Sequence, residues 1–357
     1  MIFLGDIAIP DSKVAKDFIV EIEEFKSIFT NKTTVANFEG ALIHNSEKYR
    51  SQRVLFNHND SIKVLKHLNV KIVSLANNHI GDIQGGLNNT LEILEGNKII
   101  SFGAGFNEIE ASRSKEININ GRKYFFIGCC WDLMLNIIDN SVVVNKLEPL
   151  RLLEDIKQLR SKHPEACIIV MPHWNFDMEL YPFPMYRQLS RALIDSGANA
   201  IIGSHSHCVQ GIEVYKGSPI AYCLGNFILP DCEYFDFKLK YPDFVKTQLA
   251  IEWDPDINEI FLHWFRYSFE EGKHRLKHIT SEKISESSKI KQLTPYRNLS
   301  NVEYAKWFKQ NRRKNFMLPI YKDYKEVKKN YLFDVIIRNR LYIARKLASS
   351  GLRSGIE

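Results

Sequence analysis

Short apolar runs alternate with amphipathic stretches through the first two thirds of the chain. The runs predict buried strands, and the stretches, in which apolar residues recur every three or four positions, predict helices. The predicted strands are Met1–Leu4, Thr33–Ala36, Val70–Leu75, Ile99–Phe102, Tyr124–Gly128, Cys167–Met171, Ala200–Ile202 and the run Pro219–Leu224. The predicted helices are Asp17–Phe29, Ser61–Leu68, Gly85–Glu95, Leu147–Ser161 and Arg187–Ser196, and Arg50–Asn59 is predicted to be a loop. This alternation favours an α/β fold with a largely parallel or mixed sheet.

Side chains that can bind metals come just past the ends of five of the predicted strands. They are Asp6, Glu39, Asn78, His79, His173, His205 and His207. In open α/β sheets, sites form outside the carboxyl ends of the strands, so we expect these groups to meet at one edge.

Each of these residues also has an ordinary interpretation. Asp6 and the pair Asn77-Asn78 suit turns, Glu39 suits the surface, and His79 and His173 suit a hydrogen-bonded core. Their joint placement favours a metal site instead. Oxygen and nitrogen donors together suit Mn²⁺, Fe or Zn²⁺, and the set is large enough for two ions that share a bridging carboxylate. A histidine outside the ligand set can protonate a leaving group.

Composition and charge narrow the class of protein. The chain has 357 residues, of which 45% are hydrophobic, so a large core and about two domains are expected. Residues 281–357 hold 18 Lys and Arg against 7 Asp and Glu, whereas the rest of the chain is mildly acidic. The start of the sequence shows no leader, which predicts a cytoplasmic protein or one at the inner face of the membrane. The six cysteines form no Cys-x-x-Cys pair and are expected to be free, buried thiols.

A set of motifs in fixed order resembles the capsule-synthesis protein CapA family, called PgsA in poly-γ-glutamate systems. The motifs are Gly5-Asp6, Asn37-Phe38-Glu39, Leu75-Ala76-Asn77-Asn78-His79, His173-Trp174, Gly203-Ser204-His205-Ser206-His207 and Leu224-Gly225-Asn226-Phe227. That family is similar to the calcineurin-like metallophosphoesterases, and the likeness extends to about Leu229. It implies a β-sandwich flanked by helices.

The resemblance also implies roles for individual residues. The implied metal ligands are Asp6, Glu39, Asn78, His173, His205 and His207, with Glu39 as the bridge. His79 would be the general acid, and Asp82 would either orient it or cap the next helix. Asn37, Asn77, Asp177 and Asn226 would support the ligands. One departure is that Asp6-Ile7-Ala8 lacks the histidine of the phosphoesterase Asp-x-His motif, which weakens the first metal position.

The C-terminal third is predicted to differ from the rest. Thr247–Trp253 and Glu259–Phe265 predict a hairpin that completes the sheet. We expect a metallophosphoesterase-like domain over residues 1–280 and a basic, mainly helical extension over residues 281–357. In the predicted helix Leu332–Leu347, apolar residues share one face among arginines and lysines. Such a face either lies on an anionic membrane or packs on the main domain or another subunit. No nucleic-acid partner is expected, because the basic tail has no recognisable binding motif.

Two functions remain open from the sequence. The first is a metal-dependent hydrolase of phosphate esters, or of a related polymer linkage, in bacterial surface-polymer biosynthesis. Its substrate would be a phosphorylated or polyanionic polymer precursor, and its cofactor two divalent ions. The second is a non-catalytic accessory subunit of a membrane-associated polymer-synthesis complex, because a fold does not by itself establish a reaction.

Overall fold

The structure is a computed structural model and describes residues 1–43, 54–135, 137–234, 237–314 and 318–349. Its strands are β1 Ile2–Ile7, β2 Thr34–Phe38, β3 Ala41–Ile43, β4 Phe56–His58, β5 Val70–Ser74, β6 Ile100–Phe102, β7 Ala104–Gly105, β8 Lys115–Ile119, β9 Arg122–Cys130, β10 Val143–Val144, β11 Cys167–His173, β12 Ala200–Ile202, β13 Ile212–Tyr215, β14 Ser218–Ala221, β15 Asn226–Ile228, β16 Cys232–Tyr234, β17 Phe237–Leu239, β18 Thr247–Asp254, β19 Glu259–Glu270 and β20 Lys273–Lys283. Its helices are α1 Ser12–Glu23, α2 Ser61–His67, α3 Gly86–Gly96, α4 Glu108–Ser112, α5 Pro149–Lys162, α6 Pro184–Asp195, α7 Ser288–Leu293, α8 Asn301–Asn311 and α9 Val327–Ser349.

Two mixed sheets form the centre of the protein. The larger has eight strands in the order β20-β19-β18-β1-β2-β5-β6, with β15 also paired to β1. The smaller has six strands in the order β13-β14-β12-β11-β9-β8. The strands that carry the candidate site residues, β1, β2, β5, β11 and β12, are paired in parallel within their own sheets. They therefore present their carboxyl ends in register.

Alternation along the strands explains why the two sheets pack together. In β1, Phe3 belongs to the apolar cluster that contains residues of both sheets, whereas Ile2 and Leu4 belong to a cluster with α1 and α2. In β11, Ile169 faces the shared cluster, and Val170 faces α5 and α6. Successive side chains of a strand point to opposite faces, so a continuous apolar run is buried on both. The predicted α/β class, with a β-sandwich flanked by helices, is confirmed.

Several element boundaries differ from the predictions. β1 continues to Ile7, so Asp6 lies inside the strand rather than beyond its end. The first helix begins at Ser12, because the Asp11 side chain accepts a hydrogen bond from the Val14 N–H and caps it. Of the predicted loop at 50–59, residues 50–53 lie outside the described residues, and Phe56–His58 form a strand that pairs with β3.

The two sheets also correct the expectation of a single edge. The alternation of apolar runs and amphipathic helices predicts one largely parallel or mixed sheet, but β1, β2 and β5 belong to one sheet and β11 and β12 to the other. Local periodicity reports whether a strand is buried, not which strand it pairs with, and the partners here are far apart in sequence. The hairpin predicted at Thr247–Trp253 and Glu259–Phe265 is confirmed as β18 and β19 of the larger sheet.

Residues from Tyr296 onwards contribute to the apolar cluster between the smaller sheet and helices α5 and α6. The fully buried Arg187 side chain of α6 donates hydrogen bonds to the backbone carbonyls of Tyr296, Arg297 and Leu299. Tyr304 and Phe308 of α8 are buried in the same apolar cluster. This part of the chain therefore shares a core with α5 and α6.

The cysteines and the helices each have one further property that was considered from the sequence. The cysteines whose side chains are described are free and buried, as predicted: Cys129, Cys130, Cys167, Cys208 and Cys223. Among the described residues, no helix has the length and the apolar character needed to cross a membrane.

Candidate metal centre

The carboxyl ends of strands from both sheets surround the candidate site. Asp6 lies near the end of β1, Asn37 lies one residue before the end of β2, and Glu39 follows β2. His173 is the last residue of β11. The Asn77-Asn78-His79 segment follows β5, and the segment 203–207 follows β12. The structure brings all twelve predicted site residues into this region.

The loop with the two histidines has an uncommon backbone. His205 has a φ of 91° and His207 a φ of 57°, both in the left-handed region that residues other than glycine rarely adopt. Hydrogen bonds hold this conformation: the His205 N–H donates to Asp6 Oδ2 at 3.3 Å, and the Met178 N–H donates to the Ser206 carbonyl at 2.8 Å. Such strain persists where surrounding contacts fix it, which is common at functional sites.

The Glu39 carboxylate, like the His205 ring, has no hydrogen-bond partner among the described residues. It is fully buried. Its Oε1 lies 3.9 Å from the Nε2 atoms of both His79 and His173. Burial and the nearby Asp6 charge raise the pKa of Glu39 to about 8. A buried charge without a partner is costly, so this position favours a cation between the carboxylate and its neighbours.

His205 and His207 complete a cluster with Glu39. One ligand atom from each of the three residues lies within 4.8 Å of the other two. Neither ring nitrogen of His205 makes a hydrogen bond with a described residue, although Nε2 is 3.2 Å from Asp177 Oδ1. Burial lowers the pKa of His205 to about 4, so its ring is neutral and able to donate a lone pair.

His207 carries a proton instead. Burial lowers its pKa, but the hydrogen bond and charge of Asp6 and the charges of Glu39 and Asp177 outweigh burial and raise the pKa to about 10. Its Nδ1 lies 2.8 Å from Asn226 Oδ1 and 3.5 Å from Asp6 Oδ2. Asn226 therefore fixes the orientation of this ring, as the groups around metal-bound histidines do.

Asp6 and Asn37 link the cluster to the larger sheet. The Asn37 amide donates to Asp6 Oδ1 at 2.7 Å, which leaves Oδ2 facing His207 and the His205 N–H. Asn77 joins the loops after β2 and β5: its Nδ2 donates to the Phe38 carbonyl at 2.9 Å, and its Oδ1 accepts from the His79 N–H at 3.2 Å. Both amides thus hold ligand-bearing segments in place.

His173 contacts Asn78 across the two sheets. Its Nε2 lies 2.7 Å from Asn78 Oδ1, and its Nδ1 lies 2.8 Å from Ser204 Oγ. Burial and the neighbouring histidines hold the pKa of His173 well below its usual value, so the ring is neutral. A cation at Nε2 would require the ring proton to move to Nδ1, where Ser204 Oγ is able to accept it.

His79 and Asp82 form a pair at the open side of the site. His79 Nδ1 is 2.7 Å from Asp82 Oδ2, and the His79 side chain is 32% exposed. Burial lowers the pKa of His79, but the charge and hydrogen bond of Asp82 and the Glu39 charge raise it to about 9. Asp82 does not cap α3, whose N-cap is Gly85; that alternative is wrong. Instead, Asp82 also accepts from the Leu55 N–H.

The residues present fit divalent cations. Glu39 and the neutral His205 have no hydrogen bond to any described residue, and together with the Asp6 carboxylate they form a mixed oxygen and nitrogen donor set. The raised pKa values of Glu39 and His207 mean that both residues hold protons in the metal-free protein. A bound cation would replace these protons as the source of positive charge.

Comparisons with known proteins identify the family of this chain. A sequence model of the family described as bacterial capsule synthesis protein PGA_cap matches residues 1–231. The chain belongs to the PGA_cap family. The matched segment contains every residue of the candidate centre.

Two curated relatives are similar to part of this chain. The PGA biosynthesis protein CapA of Bacillus subtilis is 28% identical over 63% of this chain and 62% of its own length. A probable polyglutamine synthesis accessory protein of Mycobacterium tuberculosis is 28% identical over 48% of each chain. The chain thus spans less than two thirds of these relatives. A 5'-nucleotidase precursor from Thermus thermophilus is 11% identical over 79% of this chain and 53% of its own, with a TM-score of 0.40, too weak to carry an argument.

Three residues near the centre were not singled out from the sequence. Ser204 lies within the histidine motif, so a hydrogen bond between Ser204 and a nearby histidine could have been predicted; the structure shows it with His173. The Tyr241 ring lies 5.5 Å from the His207 ring. Burial raises the pKa of Asp177, but the charges of His205 and His207, and to a smaller extent that of Lys314, lower it below its usual value. Tyr241 and Lys314 come from distant segments without a local motif.

Proposed function

We propose that this member of the PGA_cap family is a metal-dependent hydrolase of phosphate esters. The observation that carries the proposal is the buried Glu39 carboxylate, which has no hydrogen-bond partner among the described residues and lies beside His205 and His207. Asp6, Asn78 and His173 are the further proposed ligands. Two divalent ions, Mn, Fe or Zn, held by this set would lower the pKa of bound water and offset charge on a phosphoryl group.

His79 is the proposed general acid. Its pKa of about 9 keeps the ring protonated at neutral pH, and its partly exposed position lets a substrate approach. Asp82 accepts from Nδ1 and so directs the Nε2 proton towards Glu39 and the site. The role proposed for His79 is to deliver the Nε2 proton to the leaving oxygen.

The names of the relatives support a role in surface-polymer biosynthesis. The Bacillus subtilis relative is named for PGA biosynthesis, and the family description names capsule synthesis. We therefore propose a phosphorylated or polyanionic polymer precursor as the substrate. The Mycobacterium tuberculosis relative is named an accessory protein, which favours as second candidate a non-catalytic subunit of a polymer-synthesis complex.

The C-terminal helix supports contact with a membrane surface. Phe333, Ile337 and Leu341 of α9 pack against the core of the smaller sheet. Another face of the helix exposes Leu332, Ile336 and Ile343 at 56%, 47% and 57%. Leu347, predicted on this face, lies outside the residues whose side chains are described. Apolar side chains flanked by lysines and arginines suit an anionic membrane, so we propose a peripheral position at the inner membrane. Residues 1–280 would then hold the metal centre, and residues 281–357 would bind the membrane surface.

Calorimetric titration with Mn²⁺ tests the enzymatic proposal. Metal-free wild type should bind about two ions, and His205→Ala should lose binding. Binding of one ion would mean that the position weakened by the missing histidine is empty. No binding to the wild type would overturn the proposal and favour the accessory role.

Vesicle sedimentation tests the docking face. Wild type should sediment with vesicles that contain anionic lipid and not with neutral vesicles, and Ile336→Glu should reduce this binding. Val302→Glu, at an exposed apolar position of α8, is the matched control and should bind as wild type does. Equal binding by both variants would contradict the assignment of α9.

A further inference from the structure

Three neighbouring strands of the larger sheet carry a glutamate, a histidine and a serine that are linked by hydrogen bonds. Oε2 of Glu252, in β18, lies 3.1 Å from Nε2 of His263, in β19. The other ring nitrogen of His263, Nδ1, lies 2.7 Å from Oγ of Ser281, in β20. A carboxylate, an imidazole and a hydroxyl in this order are the groups that activate a serine nucleophile in hydrolases of unrelated folds.

The register of the strands explains why these three side chains meet. His263 lies directly opposite Ser281 in the pairing of β19 with β20, and opposite Ala250 in the pairing with β18. Glu252 comes two residues after Ala250, so its side chain is on the same face of the sheet. Direct and diagonal neighbours on adjacent strands are within reach of each other. The three groups therefore lie in a row across one face.

A β-bulge brings a second imidazole to the same serine. Trp264 pairs with Thr280, but the next residue of β19 pairs with His278, so one residue of β20 is left extra. Without the bulge, His278 and Ser281 would point to opposite faces, because they are three residues apart in a strand. With the bulge, His278 Nε2 lies 2.9 Å from Ser281 Oγ. Bulges often redirect side chains next to active sites.

The charge of Glu252 decides which nitrogen of His263 carries a proton. Burial raises the pKa of Glu252, but hydrogen bonds from His263 and Lys32 lower it to about 2, so the carboxyl is ionised at neutral pH. Lys32 Nζ donates to the same oxygen, Oε2, at 2.8 Å. An ionised carboxylate only accepts hydrogen bonds, so the neutral His263 ring donates from Nε2 and keeps a lone pair on Nδ1. Ser281 Oγ therefore donates its proton to a base.

The serine is accessible and lies apart from the candidate metal centre. Ser281 is exposed, whereas the His263 side chain is only 8% exposed. Glu252 pairs with Ile2 at the start of β1, but Asp6 of the metal centre lies near the end of that strand. The arrangement of Glu252, His263 and Ser281 is therefore a separate cluster of reactive groups.

We propose that Ser281 is the nucleophile of a second catalytic site, which hydrolyses carboxylic esters. Ser281 Oγ attacks the carbonyl carbon, and its proton passes to His263 Nδ1. The bond to the alcohol oxygen breaks, and this oxygen takes the proton from Nδ1, so that an alcohol leaves and the acyl group stays on Ser281. Water then attacks the acyl group with the help of the same base and releases the carboxylic acid. The metal centre takes no part, so the inference does not depend on the proposed phosphoesterase.

Labelling with an organic fluorophosphonate tests the nucleophile, because such a reagent reacts with activated serines in preference to ordinary hydroxyls. The whole chain should be modified at Ser281, as located by mass spectrometry of its peptides, and Ser281→Ala should lose this modification. Ser285→Ala, which removes an exposed serine of the turn after β20, is the matched control and should be labelled as wild type is. Absence of the label from Ser281 in folded wild type would overturn the inference.

Two further variants separate activation of Ser281 from its exposure. His263→Gln should slow the labelling by at least about a hundredfold, since it removes the general base. Glu252→Gln should also slow it, because the amide no longer holds the His263 proton at Nε2, and NMR spectra of the ring nitrogens should show that proton at Nδ1. Equal labelling rates in wild type and His263→Gln would show that Ser281 is an ordinary hydroxyl, and the inference would be wrong.

Turnover of an ester decides whether the activated serine is catalytic. Wild type should release nitrophenol from nitrophenyl acetate faster than Ser281→Ala does, both in Mn²⁺ and in a chelator. Equal rates in the two proteins would overturn the assignment of an ester substrate, and release that requires Mn²⁺ in both would assign the activity to the metal centre. Failure of wild type to bind Mn²⁺ would instead overturn the phosphoesterase and leave the result for Ser281 unchanged.

Discussion

Asn78 Oδ1 and His173 Nε2 lie 2.7 Å apart although the two residues belong to different sheets. Asn78 follows β5 of the larger sheet, and His173 ends β11 of the smaller one. The centre is therefore assembled only when the sheets pack on each other. Metal binding and packing of the sheets are expected to be coupled, since a preformed site does not exist in the unfolded chain.

The His79–Asp82 pair predicts a separation of catalysis from metal binding. His79→Ala should abolish turnover and leave Mn²⁺ affinity about unchanged, because His79 is proposed as an acid and not as a ligand. Asp82→Asn should lower the pKa of His79 and move the basic limb of the rate profile to lower pH, because the carboxylate charge holds the proton. Steady-state rates against pH, alongside metal titrations, measure both. Full activity of His79→Ala would remove it from the mechanism.

Two buried glutamates should respond oppositely to the same substitution. Glu39 has no hydrogen-bond partner among the described residues, whereas Glu179 accepts three backbone hydrogen bonds. In metal-free protein at pH 8, Glu39→Gln should raise the free energy of unfolding, and Glu179→Gln should lower it by about 1–3 kcal/mol. Urea denaturation measures both changes. If Glu39→Gln destabilises the metal-free protein, the Glu39 carboxylate must have stabilising partners there, and the prediction is wrong.

The raised pKa of Glu39 also predicts how stability depends on pH. Folding raises this pKa from its ordinary value of 4.5 to about 8, so the folded protein holds the proton more tightly than the unfolded chain. The contribution of this group is fully present below about pH 4.5 and is lost as the pH rises towards 8. Metal-free wild type should therefore lose stability relative to Glu39→Gln over this interval, as measured by urea denaturation at several pH values. If the free energy of unfolding changes with pH in the same way in both proteins, the prediction is wrong.

Metal affinity should rise with pH. Glu39 and His207 hold protons at neutral pH, with pKa values of about 8 and 10, and a cation bound to them must displace those protons. Mn²⁺ binding at pH 7 should release protons, which is measured by calorimetry in buffers of different ionisation enthalpy. Binding without proton release would show that these two residues are not ligands.

Gly5 is expected to control the position of Asp6. A Cβ at Gly5 would lie 1.8 Å from the Gly225 carbonyl oxygen, which accepts the Asp6 N–H. Gly5→Ala should therefore push β1 from β15, lower the melting temperature and weaken Mn²⁺ binding. Gly96→Ala is the control, because no described atom outside the helix backbone and the adjacent residues lies within 4 Å of a Cβ at Gly96, and alanine favours the helix. Equal effects of the two substitutions would exclude the close approach as the cause.

Two arginines of α6 share Glu213 but differ in burial. Arg187 is fully buried and pairs with Oε1, and Arg191 is 24% exposed and pairs with Oε2, both at 2.7 Å. Arg187→Ala should cost about 3–5 kcal/mol of unfolding free energy, since it takes away the partner of the buried Glu213 Oε1 and of several backbone carbonyls, and Arg191 remains only at Oε2. Arg191→Ala should cost less than about 1 kcal/mol. Chemical denaturation compares them, and similar losses would show that Arg187 does not anchor the C-terminal segment.

Much of the fold was predictable because its signals are local. Apolar runs such as Ala200–Ile202 predicted strands correctly, and the hairpin of β18 and β19 followed from its turn. The order of the motifs was sufficient to predict the family. Helix boundaries were less certain, as at α1, where the cap at Asp11 and not the apolar spacing sets the start.

The sequence by itself determined which side chains could bind a metal, because chemistry and position after a strand are properties of the local chain. Only the tertiary structure decided that these groups come from two sheets and that Ser204 contacts His173. Pairing between distant segments depends on how apolar faces pack, and short-range periodicity does not encode the partner.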